Sequence, residues 1–239
     1  MRKKATVIVL LIFSIGCKQS QKTISSTSQQ SDVVKPTQPP AKSTESSERL
    51  VLVSTEYGDM KIKLYNATPK HRDNFIKLAG ESFFDSLLFH RVIRGFMIQG
   101  GDPLSKHAPS GTQLGSGDIG YTIPAEFVDT LYHKKGSLCA ARTNNPEKAS
   151  SGCQFYIVQG QTMNEEQLNA LETQKGRKMS ARQRNDLSTL GGTPRLDQEY
   201  TVFGEVIEGL DVIDKIAAVQ TAPGDRPVTD LRMKIKVLR

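Results

Sequence analysis

From Arg49 onward the chain is built of short apolar runs, each cut off by Gly, Pro, Asn or Asp before it can become a long helix. The first pair is the clearest. RLVLVST (49–55) is followed by the turn EYGD and then by DMKIKLY (59–65), where Met60, Ile62 and Leu64 alternate with Lys61 and Lys63. A two-residue period puts the three apolar side chains on one face and both lysines on the other, so this is a β-hairpin with one buried side. Strand-like runs recur at 88–93, 96–100, SLCAAR, QFYIVQ, YTVFGEVI and LRMKIKVL. Two segments read firmly as helices. TPKHRDNFIKLAG (68–80) has Thr68 to cap it, Pro69 at its first position, Gly80 to stop it and Phe75, Leu78 and Ala79 as an inner stripe. GLDVIDKIAAV precedes the last strand. Short strands in such number predict a mainly antiparallel sheet closed as a barrel.

One segment breaks this pattern. Residues 161–192 are charged and helical in character. Asn164 with Gln167 three places on forms a capping-box pattern, Leu168 and Leu171 share a face, and Gly176 ends a first helix. Ser180 starts a second, stopped by Gly191 and Gly192. This reads as a helical insertion between two strands, a solvated excursion that re-enters the chain just before Arg195.

Residues 1–17 combine a basic start (Arg2, Lys3, Lys4) with an apolar stretch from Ala5 to Ile15 and then Gly16 and Cys17. The stretch is too short to span a bilayer and suits a secretory leader. The small residue before Cys17 resembles a bacterial lipobox, although Ser14 stands where that pattern prefers Leu. A lipidated Cys17 would tether the chain to a membrane without crossing it. Residues 18–48, rich in Ser, Thr, Gln and Pro, hold too few apolar side chains to offset the entropy of ordering, and read as a flexible linker. The expected location is the periplasm, lipid-anchored to the cell envelope at the outer membrane, with the folded part over 49–239. Losing Arg2, Lys3 and Lys4 with the leader takes the formal charge from +7 to +4, and no Lys/Arg run interleaved with aromatics marks a nucleic-acid surface.

Several chemistries find no support. GSGDIG (115–120) fits the G-x-G-x-x-G pattern, but Pro124 stands where a phosphate-binding helix should run. His71, His90, His107 and His133 have no metal-ligand spacing, and no G-x-S-x-G is present. Cys139 and Cys153 lack the surroundings of an activated thiolate, and their spacing demands no disulfide. No metal and no cofactor is expected.

FHRVIRGFMIQGGD (89–102) remains, with an arginine inside an apolar strand and a glutamine where core should continue. This block resembles the signature of the cyclophilins, peptidyl-prolyl cis-trans isomerases. GSLCAAR, SGCQFYI and LDQEYTVFGEVIEGLDVIDKI resemble that family's later segments in the same order, covering about 50 to 239 apart from the insertion. The resemblance implies a barrel of about eight strands with two flanking helices. It implies Arg91 as the catalytic residue, supported by Gln99, with Phe96, Met97, Tyr156, Leu196 and Tyr200 forming the proline pocket and Ala141 and Gln154 lining the adjacent peptide groove. Arg142 takes the place of the family's substrate-clamping asparagine, and Tyr156 that of a phenylalanine. Arg195 replaces a tryptophan that binds cyclosporin in sensitive members. The implied substrates are proline-containing polypeptides of the cell envelope, turned over by a monomer without cofactor. The rival expectation is a non-catalytic peptide-holding or chaperone lipoprotein on the same fold.

Overall fold

The computed structural model describes residues 48–238. The 1–17 leader, Cys17 and all of the 18–48 linker but Glu48 lie outside the described residues. Ten strands run in chain order: β1 (Arg49–Thr55), β2 (Gly58–Leu64), β3 (Phe89–Ile93), β4 (Met97–Gly100), β5 (Thr122–Ile123), β6 (Ser137–Ala140), β7 (Ser150–Ser151), β8 (Phe155–Val158), β9 (Val202–Glu208) and β10 (Lys234–Val237). Helices α1 (Pro69–Gly80), α2 (Glu165–Lys175), α3 (Ala181–Thr189) and α4 (Leu210–Ala217) join them.

Eight strands form one antiparallel sheet in the order β10-β1-β2-β9-β6-β8-β4-β3, and β5 pairs with β7 alone. The opening hairpin is in the register its alternation requires, Val51 facing Ile62 and Val53 facing Met60, all four fully buried. The sheet curves into an open half-barrel, not the closed barrel expected from the sequence. Its edges, β3 and β10, are not paired as strands, but the chain at their approach is joined by the Leu88–Arg232 bridge and by three backbone hydrogen bonds. Ser86 N–H donates to the Met233 carbonyl, Met233 N–H to the Leu87 carbonyl and Phe89 N–H to the Leu231 carbonyl, each at 2.9 Å. Beyond these contacts the edges part: Val92 N–H donates to the Asp225 carbonyl at 2.8 Å. A loop thus occupies the edge of β3 where the eighth ladder of a closed barrel would have continued.

The concave face holds the main core. Phe75 of α1 meets Phe84 in a tilted contact at 4.9 Å and Phe155 edge-on at 5.4 Å, an arrangement worth more than area alone. Val212, Ile213, Ile216 and Ala217 of α4 pack into the same cluster. Thr68 does precede α1, but its hydroxyl makes no cap. The free N–H groups of Lys70 and His71 go instead to the Glu126 carboxylate, at 3.1 and 3.0 Å. A charged acceptor there also complements the helix dipole.

The 161–192 segment is a helical hairpin, as its caps predict. Asn164 with Gln167 and Ser180 with Gln183 both complete capping boxes, and Gly176 takes the left-handed conformation, φ 62°, after α2. Leu168, Leu171 and Leu187 are buried. Glu172, almost fully buried, accepts from Lys178, Arg184 and the Met179 N–H, and these contacts hold its carboxyl down at about 2. At its end, Lys175 Nζ donates to the carbonyls of Arg195 and Asp197 at 3.1 and 2.9 Å. The insertion therefore grips the turn Pro194–Leu196 that carries one of the expected pocket residues.

Candidate functional site

The site stands on the convex face of the sheet, and a bulge puts it there. Phe89 faces Gly100 while Arg91 faces Gln99, so the register slips at His90. Simple alternation would point Phe89, Arg91 and Ile93 the same way. The extra residue instead sends Phe89 into the concave core, edge-on to Phe155, and leaves Arg91 and Ile93 on the convex side.

From Arg91 a row runs across four strands: Arg91 opposite Gln99, Gln99 opposite Tyr156, Tyr156 opposite Cys139. With strands about 4.8 Å apart, the Arg91 backbone lies roughly 10 Å from that of Tyr156. Beside this row sits a second apolar cluster. Met97, Ala141 and Tyr156 are buried in it, and Phe96, Leu196 and Tyr200 pack against it while partly exposed. Every apolar residue expected at the pocket is therefore in one cluster.

The polar residues make other contacts than expected. Arg91, its side chain 43% exposed, gives its Nε–H to Asp225 Oδ2 at 3.3 Å and not to Gln99. Gln99 Nε2 donates to Gln154 Oε1 at 3.1 Å, and Gln154 Nε2 donates to the carbonyls of Gly115 and Gly117 at 3.0 and 2.7 Å. The same loop turns its Gly115 and Gly117 N–H groups to the buried Asp102 carboxylate. The amides of GSGDIG that a phosphate would need are thus already taken by an internal anion. A side chain at Gly117 would collide with Asp102, so the loop requires glycine there. Gln99 borders two clefts. One, about 980 Å³, is lined by His90, Arg91, Arg226 and the 110–116 loop; the other, about 470 Å³, by Ala141, Arg142 and Gln154.

Arg142 is not poised as a free clamp. Its Nε donates to the Glu199 carbonyl at 2.9 Å, Nη2 pairs with the Glu199 carboxylate at 3.3 Å, and the guanidinium lies 4.7 Å from the Tyr200 ring centre. Tyr200 in turn meets Tyr156 edge-on at 5.9 Å. Tyr156 sends its hydroxyl to His133 Nε2 at 2.9 Å, and His133 Nδ1 faces Asp197 Oδ1 at 2.7 Å. Burial raises that phenol well above its ordinary range, so it is a neutral hydrogen-bonding group.

A family model described as cyclophilin type peptidyl-prolyl cis-trans isomerase/CLD matches residues 50–237. The chain belongs to the cyclophilin family. A Staphylococcus aureus (strain COL) protein named "Putative peptidyl-prolyl cis-trans isomerase" is 35% identical over 192 residues, covering 80% of this chain and 91% of that one. A Streptococcus pyogenes serotype M6 protein, "Putative bifunctional phosphatase/peptidyl-prolyl cis-trans isomerase", is 36% identical over 188 residues; the match takes in 76% of this chain but 37% of that longer protein. The crystal structure of a Cryptosporidium parvum cyclophilin type isomerase superposes with a TM-score of 0.58 at 23% identity, covering 80% of this chain and 98% of the other.

Within this cyclophilin, four residues of the site escaped the sequence reading: His133, Asp197, Glu199 and Asp225. Each reaches its partner over a separation of 23 residues or more, and none lies in a spacing that announces the contact. His90 is buried, and neither ring nitrogen has a hydrogen-bond partner among the described residues. Burial, against the pull of Asp102, pushes its imidazole down to about 4, so it is neutral in ordinary buffers. Cys139 and Cys153 are separate buried thiols, both pushed up by burial, Cys153 to about 11. Neither is an activated nucleophile.

Proposed function

We propose that this cyclophilin accelerates rotation about X-Pro bonds in exported proteins, with Arg91 stabilising the twisted prolyl nitrogen. A peptide bond resists rotation by about 18–20 kcal/mol, and X-Pro bonds relax unaided over tens to hundreds of seconds. The barrier arises because the nitrogen lone pair is delocalised into the carbonyl. As the bond twists, the nitrogen pyramidalises and becomes an acceptor, which it scarcely was in the planar ground state. A donor aimed there binds the transition state selectively, and no covalent bond has to form or break. A guanidinium suits the task because it stays charged and its donors are fixed in a plane.

The observation that carries this reading is the register that sets Arg91, its side chain partly exposed, in one cross-strand row with Gln99 and Tyr156, the last of these a member of the cluster that holds Phe96, Met97 and Leu196. A proline ring is compact and apolar, so such a cluster is its natural seat. The Cryptosporidium parvum protein was also crystallised in the presence of the dipeptide Ala-Pro, which makes proline-containing peptides the ligand class to test. Gln99, Gln154 and Ala141 border the groove for the preceding residues. Delivery to exported clients rests on the leader and on a lipid at Cys17, detectable as an acylated N-terminal cysteine by mass spectrometry.

The decisive test is NMR exchange spectroscopy on a short X-Pro peptide with the protein and its Arg91→Ala variant. The expected outcome is fast exchange lost by roughly 10²- to 10³-fold in the variant, the scale of a removed transition-state donor. Peptide binding without acceleration by either protein would mean the fold serves as a peptide holder.

A further inference from the structure

We infer that Asp225 is a positioning residue for the reaction: it fixes the Arg91 guanidinium from behind, through Nε, and leaves the terminal Nη fork to the substrate. The inference rests on the isomerase reading of Arg91 given above. Arginine has five donors in a rigid plane, and the Nε–H points from a side edge of that plane, so a partner there leaves the end and far edges, with most of the Nη donors, unoccupied. Asp225 Oδ2 takes Nε at 3.3 Å, and among the described residues no other hydrogen bond of the Arg91 side chain is present. A long side chain 43% exposed would otherwise sample many rotamers, and only a fraction would aim at the twisting nitrogen. A carboxylate on Nε selects that fraction.

Asp225 can do this because its own position is fixed. Its carbonyl accepts from Val92 N–H at 2.8 Å, on the open edge of β3 one residue from Arg91, and its N–H donates to the Ala222 carbonyl at 3.1 Å. Gly224 and Asp225 both have positive φ, 88° and 65°, which turns the chain sharply at the site. Asp is one of the few non-glycine residues that enters that region readily. Behind the turn the buried Arg226 is tied to the carbonyls of Pro109 and Thr112 and, at 2.8 Å, to Asp230. The carboxylate is thus delivered by a braced turn, 134 residues from the arginine it meets. The loop that takes the Val92 N–H on the edge of β3 is the one that holds the guanidinium.

The test is Asp225→Asn, since asparagine is at ease at positive φ and the change removes only the charge, by putting an NH2 in place of one acceptor oxygen. With an uncharged, capped X-Pro peptide at low salt, the variant should lose roughly two- to fivefold in kcat with KM unchanged, the range for an exposed ion pair. Two further readouts exclude a merely structural role. Because the pair is solvent-facing, salt near 1 M should lower the wild-type kcat to that of the variant, whose own rate should be flat with salt. In an Arg91→Ala background, Asp225→Asn should have no further effect. The Arg91 Nε–H proton resonance should also move in the variant while the backbone spectrum outside the turn stays in place. If Arg91→Ala abolishes turnover but Asp225→Asn keeps the wild-type kcat and its salt profile, the inference about Asp225 is overturned and the isomerase reading stands. If Arg91→Ala keeps full turnover, the reading itself falls, and Asp225 with it.

Discussion

Replacing Tyr156 by Phe would return the site to the residue its family usually carries, and the structure says it will weaken the fold. The Tyr156 hydroxyl is the partner of His133 Nε2 at 2.9 Å, and the His133 side chain is fully buried. Deleting the hydroxyl leaves that ring nitrogen without a partner and out of reach of water. An orphaned buried polar group costs about 1–3 kcal/mol, whereas replacing both partners with apolar groups is close to neutral. For a domain of this size each kcal/mol shifts the melting temperature by about 2–4 °C, so a loss of about 2 kcal/mol gives roughly 4–8 °C. The assay is thermal unfolding by circular dichroism together with urea titration, in which the midpoint should fall and the slope stay constant. Prolyl isomerisation should remain within about threefold of wild type, because the ring still floors the apolar cluster. Adding His133→Leu should recover much of the loss: Asp197 loses its ring partner, but its Oδ1 still accepts the backbone N–H of residue 133 at 2.9 Å. A Tyr156→Phe protein that melts at the wild-type temperature would refute the argument, and would mean that the His133–Tyr156 contact contributes nothing net.

Acid should destabilise the domain through His90. Its folded-state value is about 4 against 6.5 for the unfolded chain, so below pH 6.5 the unfolded state binds a proton the folded state refuses. Stability present above that pH is lost as pH falls toward 4, by about 3 kcal/mol for this group. Burial lowers His71 as well, which acts in the same direction. Urea midpoints measured from pH 7 to 4.5 should show the decline, and His90→Gln should flatten it; an unchanged slope would assign the acid sensitivity elsewhere. Cyclosporin should inhibit poorly, because exposed Arg195 stands where sensitive relatives have a tryptophan donor. Inhibition of peptide turnover at sub-micromolar drug would contradict this.

What the sequence made legible was periodic or local. The alternation of Met60, Ile62 and Leu64 announced β2, and the Asn164–Gln167 capping box announced α2, because both depend on residues within one or two turns of each other. The apolar residues of the site were legible only through their likeness to a known family, since Phe96, Met97 and Tyr156 alone look like core. Closure was not legible because it turns on contacts between distant segments: the edges meet through hydrogen bonds of Ser86, Leu87 and Phe89 with Leu231 and Met233 and then part, Val92 N–H going to the Asp225 carbonyl. The orientation of Phe89 was not legible because a single bulge residue at His90 reverses a face without any change in composition. The partners of Arg91, Tyr156 and Arg142 were illegible because each lies in a loop far along the chain.

Those distant partners have a common logic. Asp225 takes the Nε of Arg91, Asp197 fixes the histidine that holds Tyr156, and Asp102 gathers the amides of the loop that Gln154 grips from the other side. In each case a carboxylate from a loop neutralises donors behind the working surface and leaves the front face free. Such bracing matters more here than in covalent catalysis. When the chemistry is one donor meeting a nitrogen that accepts only while twisted, the gain depends on that donor being in place beforehand, because any reorganisation needed at that moment raises the barrier it is meant to lower. On the role proposed for Arg91, the carboxylate behind it bears on rate through the guanidinium it steadies, by the roughly two- to fivefold expected for Asp225 against the far larger loss expected for Arg91 itself, and a search for activity-determining positions confined to the groove would miss it.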